Sequence, residues 1–267
     1  MTPALHALRA VTSRLDAASL DDTLAIAGLQ TRFDRKYVVT PRDFHQLTVD
    51  LHDRMEVLEI DGARCFRYES VYFDTEHLAS YLAAARGRRR RFKVRTRAYL
   101  DSDRCALEVK TAGGRGETTK QRSEHPFELR DQLTDESLTF IGALVPALGG
   151  GQTLSAVLTT RYRRATLVDR HRGSRLTCDA DLECVAPDGA RVALDGFLLV
   201  ETKSTGAATI ADRLLWAAGH RPVTISKFGV GMAALNPHLP AHKWNRTLRR
   251  YFGWAPLAES YAVPVPR

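Results

Sequence analysis

Residues 88–100 read RRRRFKVRTRAYL, and the order of charge along them restricts the fold more than any other segment. From Arg91 the odd positions are Arg91, Lys93, Arg95, Arg97 and Tyr99; the even ones are Phe92, Val94, Thr96 and Ala98. Side chains in a strand alternate between faces. This segment therefore reads as a strand with cations on one side and a nearly apolar strip on the other. Such a face ordinarily points at water. The alternative is a closed cavity around something strongly negative.

Other segments repeat the pattern. Arg32, Asp34 and Lys36 share a face in 31–39, and Glu108 and Lys110 share one in 104–110, backed by Cys105, Leu107 and Val109. Lys120 and Arg122 share a face too, as do Arg175, Thr177 and Asp179, and Leu199, Glu201 and Lys203. One charged strand face means little, but several with apolar backs can join into one sheet whose apolar side is covered by helices. Closing that sheet turns the charged face into a lumen. The fold class expected is α+β, an antiparallel β-barrel or tunnel with helices packed outside. A lumen of Arg and Lys repels itself unless it binds anions, and sparse Glu and Asp among them suit a divalent metal.

Composition agrees with a globular chain that meets anions. Of 267 residues 44% are hydrophobic, and 39 Lys+Arg against 31 Asp+Glu give a formal charge of +8. Such a surplus favours nucleotides, polyphosphate, nucleic acid or an anionic surface without choosing among them. Cys65, Cys105, Cys178 and Cys184 form no CxxC pair and have no His at metal-ligand spacing, which reads as free thiols in a reducing compartment. His6, Arg9, Arg14 and Asp16 interrupt the opening apolar residues. No stretch reaches the roughly 18–20 apolar residues that span a bilayer. The expectation is a soluble, cytoplasmic chain whose link to any membrane runs through a membrane-protein partner.

Helices are expected over 4–20, from the stripe Leu5, Leu8, Val11, Leu15 and Ala18, and over 41–55, where Thr40, Pro41 and Asp43 make a good start. Further helices are expected through LASYLAAA, about 131–147, and about 208–218, closed by Gly219. VTISKFGVG (223–231) follows. AGGRGETT (112–119) reads as a mobile hairpin tip and GGG at 149–151 as a hinge. His45, His52 and His77 read as surface or packing residues, Trp216 as helix core, and Trp244 and Trp254 as part of a basic tail that docks on the barrel or on a partner.

RxDxKY (Arg32, Asp34, Lys36, Tyr37), SVYFDT (70–75), KVRTRAY (93–99), LEVK (107–110), KQR (120–122), YRR (162–164), RLTCD (175–179), VETK (200–203) and SKFGVG (226–231) occur in an order that resembles the VTC domain. That domain is the polyphosphate polymerase branch of the triphosphate tunnel metalloenzymes, within the CYTH-like superfamily. The resemblance covers about 31–231, with Arg32 and Asp34 at the two acidic positions of an ExExK-type signature. It implies an antiparallel tunnel whose wall points basic residues at a triphosphate.

By position, the resemblance assigns phosphate contacts to Lys36, Arg95, Arg97, Lys110, Lys120, Arg164 and Lys227, with Arg122 and Lys203 on the same charged faces. It assigns the principal metal carboxylate to Glu201, with Glu108 as a second lumen acid, for Mn²⁺ or Mg²⁺. Lys36, Arg95, Arg97, Lys110 and Glu201 would carry the chemistry. Where the polymerase-type motif has two lysines around SKF, this chain has Thr224 and Lys227, so one phosphate contact is missing. In YRR, Arg163 and Arg164 point to opposite faces, and the sequence does not choose between them.

The implied reaction moves the terminal phosphoryl group of ATP onto inorganic polyphosphate. The alternatives are a tripolyphosphatase or nucleoside triphosphatase, and a non-catalytic sensor of polyphosphate or inositol phosphates. Specific nucleic-acid binding is disfavoured, since no reading motif is present and Glu108 and Glu201 would repel a backbone. The expected organisation is an N-terminal helical segment (1–28), a tunnel domain (29–235) and a basic C-terminal tail (236–267).

Overall fold

The computed structural model describes residues 1–27, 33–113, 118–151, 153–169, 173–204 and 206–255. Arg32, Gly114, Gly116 and the tail beyond 255 lie outside the described residues.

The strands are β1 (Asp16–Ala18), β2 (Phe33–Val39), β3 (Glu56–Leu58), β4 (Phe66–Thr75), β5 (Arg91–Tyr99), β6 (Arg104–Ala112), β7 (Thr118–His125), β8 (Leu154–Asp169), β9 (Ser174–Val185), β10 (Arg191–Ala193) and β11 (Leu198–Ser204). The helices are α1 (Pro3–Thr12), α2 (Leu20–Ala27), α3 (Pro41–Asp50), α4 (Ala79–Ala85), α5 (Asp135–Leu144), α6 (Ile210–Ala217), α7 (Lys227–Leu235) and α8 (Asn245–Tyr251). The main sheet runs β2-β11-β9-β8-β4-β5-β6-β7, with every neighbouring pair antiparallel. β3 and β10 pair with β8 and β9 at its margin, and β1 pairs in parallel with β3.

Register decides which side chains meet, because directly opposed residues share a face. Glu201 lies opposite Lys36 on one side and Thr177 on the other, and Arg164 opposite Asp179. Tyr72 faces Arg95, Arg95 faces Glu108, and Glu108 faces Arg122, while Lys93, Lys110 and Lys120 form a second row. The charged faces expected from alternation therefore merge into one.

That face is concave. β11 and β6 stand five places apart along the sheet, about 24 Å if it were flat at ~4.8 Å per strand. Yet Lys110 of β6 is in electrostatic contact with Asp34 and Lys36 of β2 and with Lys203 and Glu201 of β11. The sheet is curled, its two ends face each other, and the charged residues line a tunnel.

Two apolar layers cover the outside. α1, α3 and α6 pack on Tyr37, Val39, Cys178, Leu198 and Val200, while α5 and Leu148 pack on Val71, Phe73, Val94, Leu107 and Val109. Helix starts carry the caps their sequences suggest. The Thr40 hydroxyl accepts from the Asp43 N–H, and Thr209 and Asp212 form a reciprocal capping box at α6. Gly219 (φ +84°) follows the end of α6. Asp212 is fully buried and also accepts from the Tyr37 and Thr202 hydroxyls, both at 2.7 Å, tying α6 to β2 and β11.

The sequence reading differs from this in two places. The stripe expected as one helix over 4–20 is α1 alone, then a turn, β1 and the start of α2. Leu15 and Ala18 are buried as the stripe implied, but Ala18 reaches the core from a short strand. Periodicity had reported burial rather than conformation.

The second difference is α7, capped by the Ser226 hydroxyl on the Gly229 N–H. Two glycines obscure it, each costing about 1 kcal/mol in helix propensity, and packing explains both. A Cβ on Gly229 would lie 2.2 Å from the Trp244 ring, and one on Gly231 would lie 2.8 Å from Leu158. Unlike the outer helices, α7 lies on the concave side. Phe228, Val230 and Met232 pack there with Val38, Tyr72, Leu158, Tyr162, Leu199 and Trp244.

Candidate functional site

The lumen wall is an alternation of cations and carboxylates. Around Glu108 stand Arg95 (2.6 Å), Lys120 (2.5 Å) and, farther off, Arg97 (3.7 Å). Around Glu201 stand Lys203 (2.6 Å) and Lys36 (3.1 Å), and Lys203 also reaches Asp34 at 3.1 Å. Asp179 receives two bonds from Arg164, at 2.6 and 2.8 Å, and a contact from Lys227 at the head of α7.

These acids stay ionised because their partners outweigh burial. Burial alone would raise the Glu108 carboxyl, but Arg95, Arg97 and Lys120 hold it well below the usual range. Glu201 is likewise depressed by Lys203 and Lys36 against its burial, and Asp179 by Arg164 and Lys227.

Aromatic rings layer the inner wall. Tyr68 stacks on Tyr162 at 5.3 Å, and Tyr72 on Phe228 at 5.1 Å. Arg164 lies over both Tyr68 and Tyr162, Lys227 over Tyr162 at 4.4 Å, and Arg95 over Tyr72. Burial raises the Tyr68 phenol to about 12. Burial would raise Tyr162 too, but Arg97, Arg164 and Lys227 lower it on balance.

Exposure falls from rim to floor: the side chain of Lys120 is 48% accessible, that of Lys227 11%. Lys110 and Arg122 are exposed at the rim, where Arg122 lies over Tyr99. Register settles the YRR question. Arg164 is on the lumen face with Tyr162, and Arg163 is outside beside Asp181. A bulge in β9 lies opposite Arg161–Arg163, where Asp181 takes φ +54°.

All of the site residues expected from sequence thus meet on one concave wall. Sequence reasoning missed the pairing of Asp179 and the place of Ser70, Thr160 and the tyrosines. The even positions of SVYFDT held part of that signal. Four buried polar atoms have no partner among the described residues and belong to this same face: Ser70 Oγ, Thr160 Oγ1, Thr177 Oγ1 and Arg97 Nε. A cavity of about 380 Å³ lined by Tyr68, Tyr162, Arg67, Arg161 and Arg163 differs in kind, since its arginines are engaged by Asp101, Glu69 and Asp181.

No cluster of three His, Cys, Asp or Glu side chains occurs among the described residues. The Lys203 ammonium nevertheless lies between the carboxylates of Glu201 and Asp34. Two hard oxygen donors converging on a cation suit a small divalent ion that takes its other ligands from phosphate and water. The residues fit such an ion.

The fold and wall define a triphosphate-tunnel architecture. Residues 31–236 match the VTC domain, and the chain belongs to that family, whose chemistry is that of polyphosphate and triphosphate. No curated protein sequence matches the chain. Among solved structures it is similar to a putative adenylyl cyclase from Hippeastrum described as having a dominant triphosphatase activity. Identity there is 18%, over 80% of this chain and 100% of that one, with a TM-score of 0.45. It is also similar to a conserved hypothetical protein from Pyrococcus furiosus, at 13% identity over 71% of this chain and 88% of that one, with a TM-score of 0.37. The family assignment rests on the VTC match alone. No helix among the described residues is long and apolar enough to cross a membrane.

Proposed function

We propose that this chain is a metal-dependent polyphosphate polymerase that transfers the terminal phosphoryl group of ATP to a polyphosphate end held in the same tunnel. The observation that carries this reading is the state of the lumen acids. Glu108, Glu201 and Asp179 are all held ionised, far below neutrality, by cations against them. A carboxylate so depressed is a poor base for activating water. A terminal phosphate needs none, being already an anionic nucleophile.

Catalysis in this reading is positioning and charge stabilisation. Arg95, Arg97, Arg164 and Lys227 hold phosphate oxygens in the deep lumen, Lys36 and Lys203 hold them beside Glu201, and Lys110, Lys120 and Arg122 guide the chain at the rim. The cations arrive pre-oriented by their acids, so little reorganisation accompanies charge development. Glu201 with Asp34 would hold Mn²⁺ or Mg²⁺, which when bound neutralises phosphate charge; Glu108 serves as the counter-ion of Arg95 and Lys120. The tunnel unit is taken as residues 29–235, against which α1 of the 1–28 segment and Trp244 of the 236–267 segment pack. Four free cysteines support a cytoplasmic setting.

The test is ATP labelled in its terminal phosphate, with Mn²⁺ or Mg²⁺ and a short polyphosphate primer, resolving polymer from free phosphate. Label in primer-dependent polymer is expected. Label found only as free phosphate at every primer concentration would assign a triphosphatase instead, and binding without turnover a sensor.

A further inference from the structure

The lysine that opens the KVRTR strand is unlike its neighbours. Arg95, Arg97, Lys120, Arg164, Lys227, Lys36 and Lys203 each reach a carboxylate. Among the described residues none reaches Lys93. Its ammonium donates to the Ser226 hydroxyl at 3.0 Å and lies 5.4 Å from the centre of the Phe228 ring. The charged groups that bear on it are Arg95 on its own strand, Lys110 of β6, Lys36 of β2 and Lys243 beyond α7, all cationic. Lys227, next to Ser226, is turned to Asp179.

Lys93 is surrounded by protein, yet part of its surface stays accessible, as expected of a group that faces a lumen. Ser226 carries a matching imbalance. Its oxygen accepts from Lys93 and from the Gly229 N–H, which uses both lone pairs and leaves the hydroxyl proton to donate. No described residue accepts that proton. A cation facing only cations, beside a donor without an acceptor, fits an anionic oxygen.

We propose that Lys93, with Ser226, is a phosphate seat in which a phosphoryl group of the bound chain supplies the counter-charge that every other deep lumen cation takes from a protein carboxylate. This rests on the reading that the lumen holds a phosphate chain. It adds a residue beyond the phosphate contacts assigned above.

The seat makes binding sensitive to pH. Burial, and then Arg95, Lys110, Lys36 and Lys243, lower the Lys93 ammonium to about 7. Near neutrality the free protein therefore holds this proton only part of the time. An anion against the nitrogen favours the charged form, so filling the seat takes up a proton.

The experiment titrates tripolyphosphate into the metal-free wild type, Lys93→Met and Lys93→Arg by calorimetry. It covers pH 6 to 9, in two buffers of different ionisation enthalpy at each pH. Protons taken up by tripolyphosphate itself cancel in the comparison between variants. At pH 6 the Met variant is expected to bind about tenfold more weakly than wild type, with the difference fading as the pH rises past 8. Wild type should take up more protons than either variant near pH 7, because Met cannot titrate and Arg stays charged. Equal proton uptake in all three proteins, or equal affinity of wild type and Lys93→Met at pH 6, overturns the seat while leaving the tunnel reading in place. Failure of the wild type to bind tripolyphosphate at any pH overturns both. Should the Met variant not fold, the contrast between wild type and Lys93→Arg decides.

Discussion

Glu108→Gln exposes how far the lumen depends on its own acids. Glu108 is 3% accessible and holds Arg95 and Lys120, with Arg97 close by. Glutamine keeps the shape and removes the charge, leaving Arg95 and Arg97 buried without a counter-ion. Breaking a buried pair from one side costs about 3–5 kcal/mol. For a chain of this size each kcal/mol lowers the melting temperature by about 2–4 °C, so a fall of about 6–20 °C is expected. The assay is thermal and urea unfolding at pH 7, with and without tripolyphosphate. The ligand should recover much of the loss, because its oxygens supply the missing negative charge.

The pH dependence of that gap has a definite sign. A carboxyl depressed in the folded state contributes stability fully present above its unfolded value, about 4.3 for Glu, and lost as the pH falls through the folded value. The gap between wild type and variant should be constant from pH 6 upward and narrow below about pH 4. A loss under about 1 kcal/mol at pH 7, within the range of an exposed ion pair, would refute the reasoning, as would a gap that tripolyphosphate leaves untouched.

Other substitutions probe other parts of the wall. Replacing Arg95 or Arg97 with Ala should weaken tripolyphosphate binding by about 1.5–3 kcal/mol; Lys should restore only part, lacking the planar fork. Calorimetry measures both. Glu201→Gln should abolish metal-dependent turnover while leaving partial nucleotide binding, and unchanged activity would remove Glu201 from the metal site. Gly229→Ala drives a methyl group into Trp244 and should lower stability by about 1–3 kcal/mol, read from urea unfolding.

Much of the wall was legible because a strand has a period of two. The alternation in RFKVRTRAY put Arg95 and Arg97 on one face without knowledge of their neighbours, and LEVK did the same for Glu108 and Lys110. The partner of each charge was not legible, because pairing depends on register between strands far apart in sequence. Arg164 and Asp179 are 15 residues apart, whereas Glu201 and Lys36 meet from opposite ends of the domain. Asp181 shifts β9 by one residue, a change that alternation cannot anticipate. α7 escaped notice because Gly229 and Gly231 are demanded by Trp244 and Leu158, contacts that exist only in the finished fold.

The residues flanking α7 are tied to the rest of the fold by long-range contacts. The Val223 N–H donates to the Lys36 carbonyl at 2.8 Å, the Lys93 ammonium to Ser226, and the Tyr81 hydroxyl to the Pro240 carbonyl at 2.9 Å. Each joins residues more than a hundred positions apart, so the loops they close are long and their entropy must be overcome before any of them stabilises the chain. Folding dominated by such contacts is slow, on the order of milliseconds to seconds. The layer under α5 packs on β4, β5 and β6 around shorter loops, whereas α1 and α3 also reach β9 and β11 across most of the chain. Docking of α7 behind Trp244 also sets Lys227 against Asp179, beside Arg164. The same long-range closure gathers charge, since Lys93 of β5 meets Lys36 of β2 only once both ends of the sheet are in place.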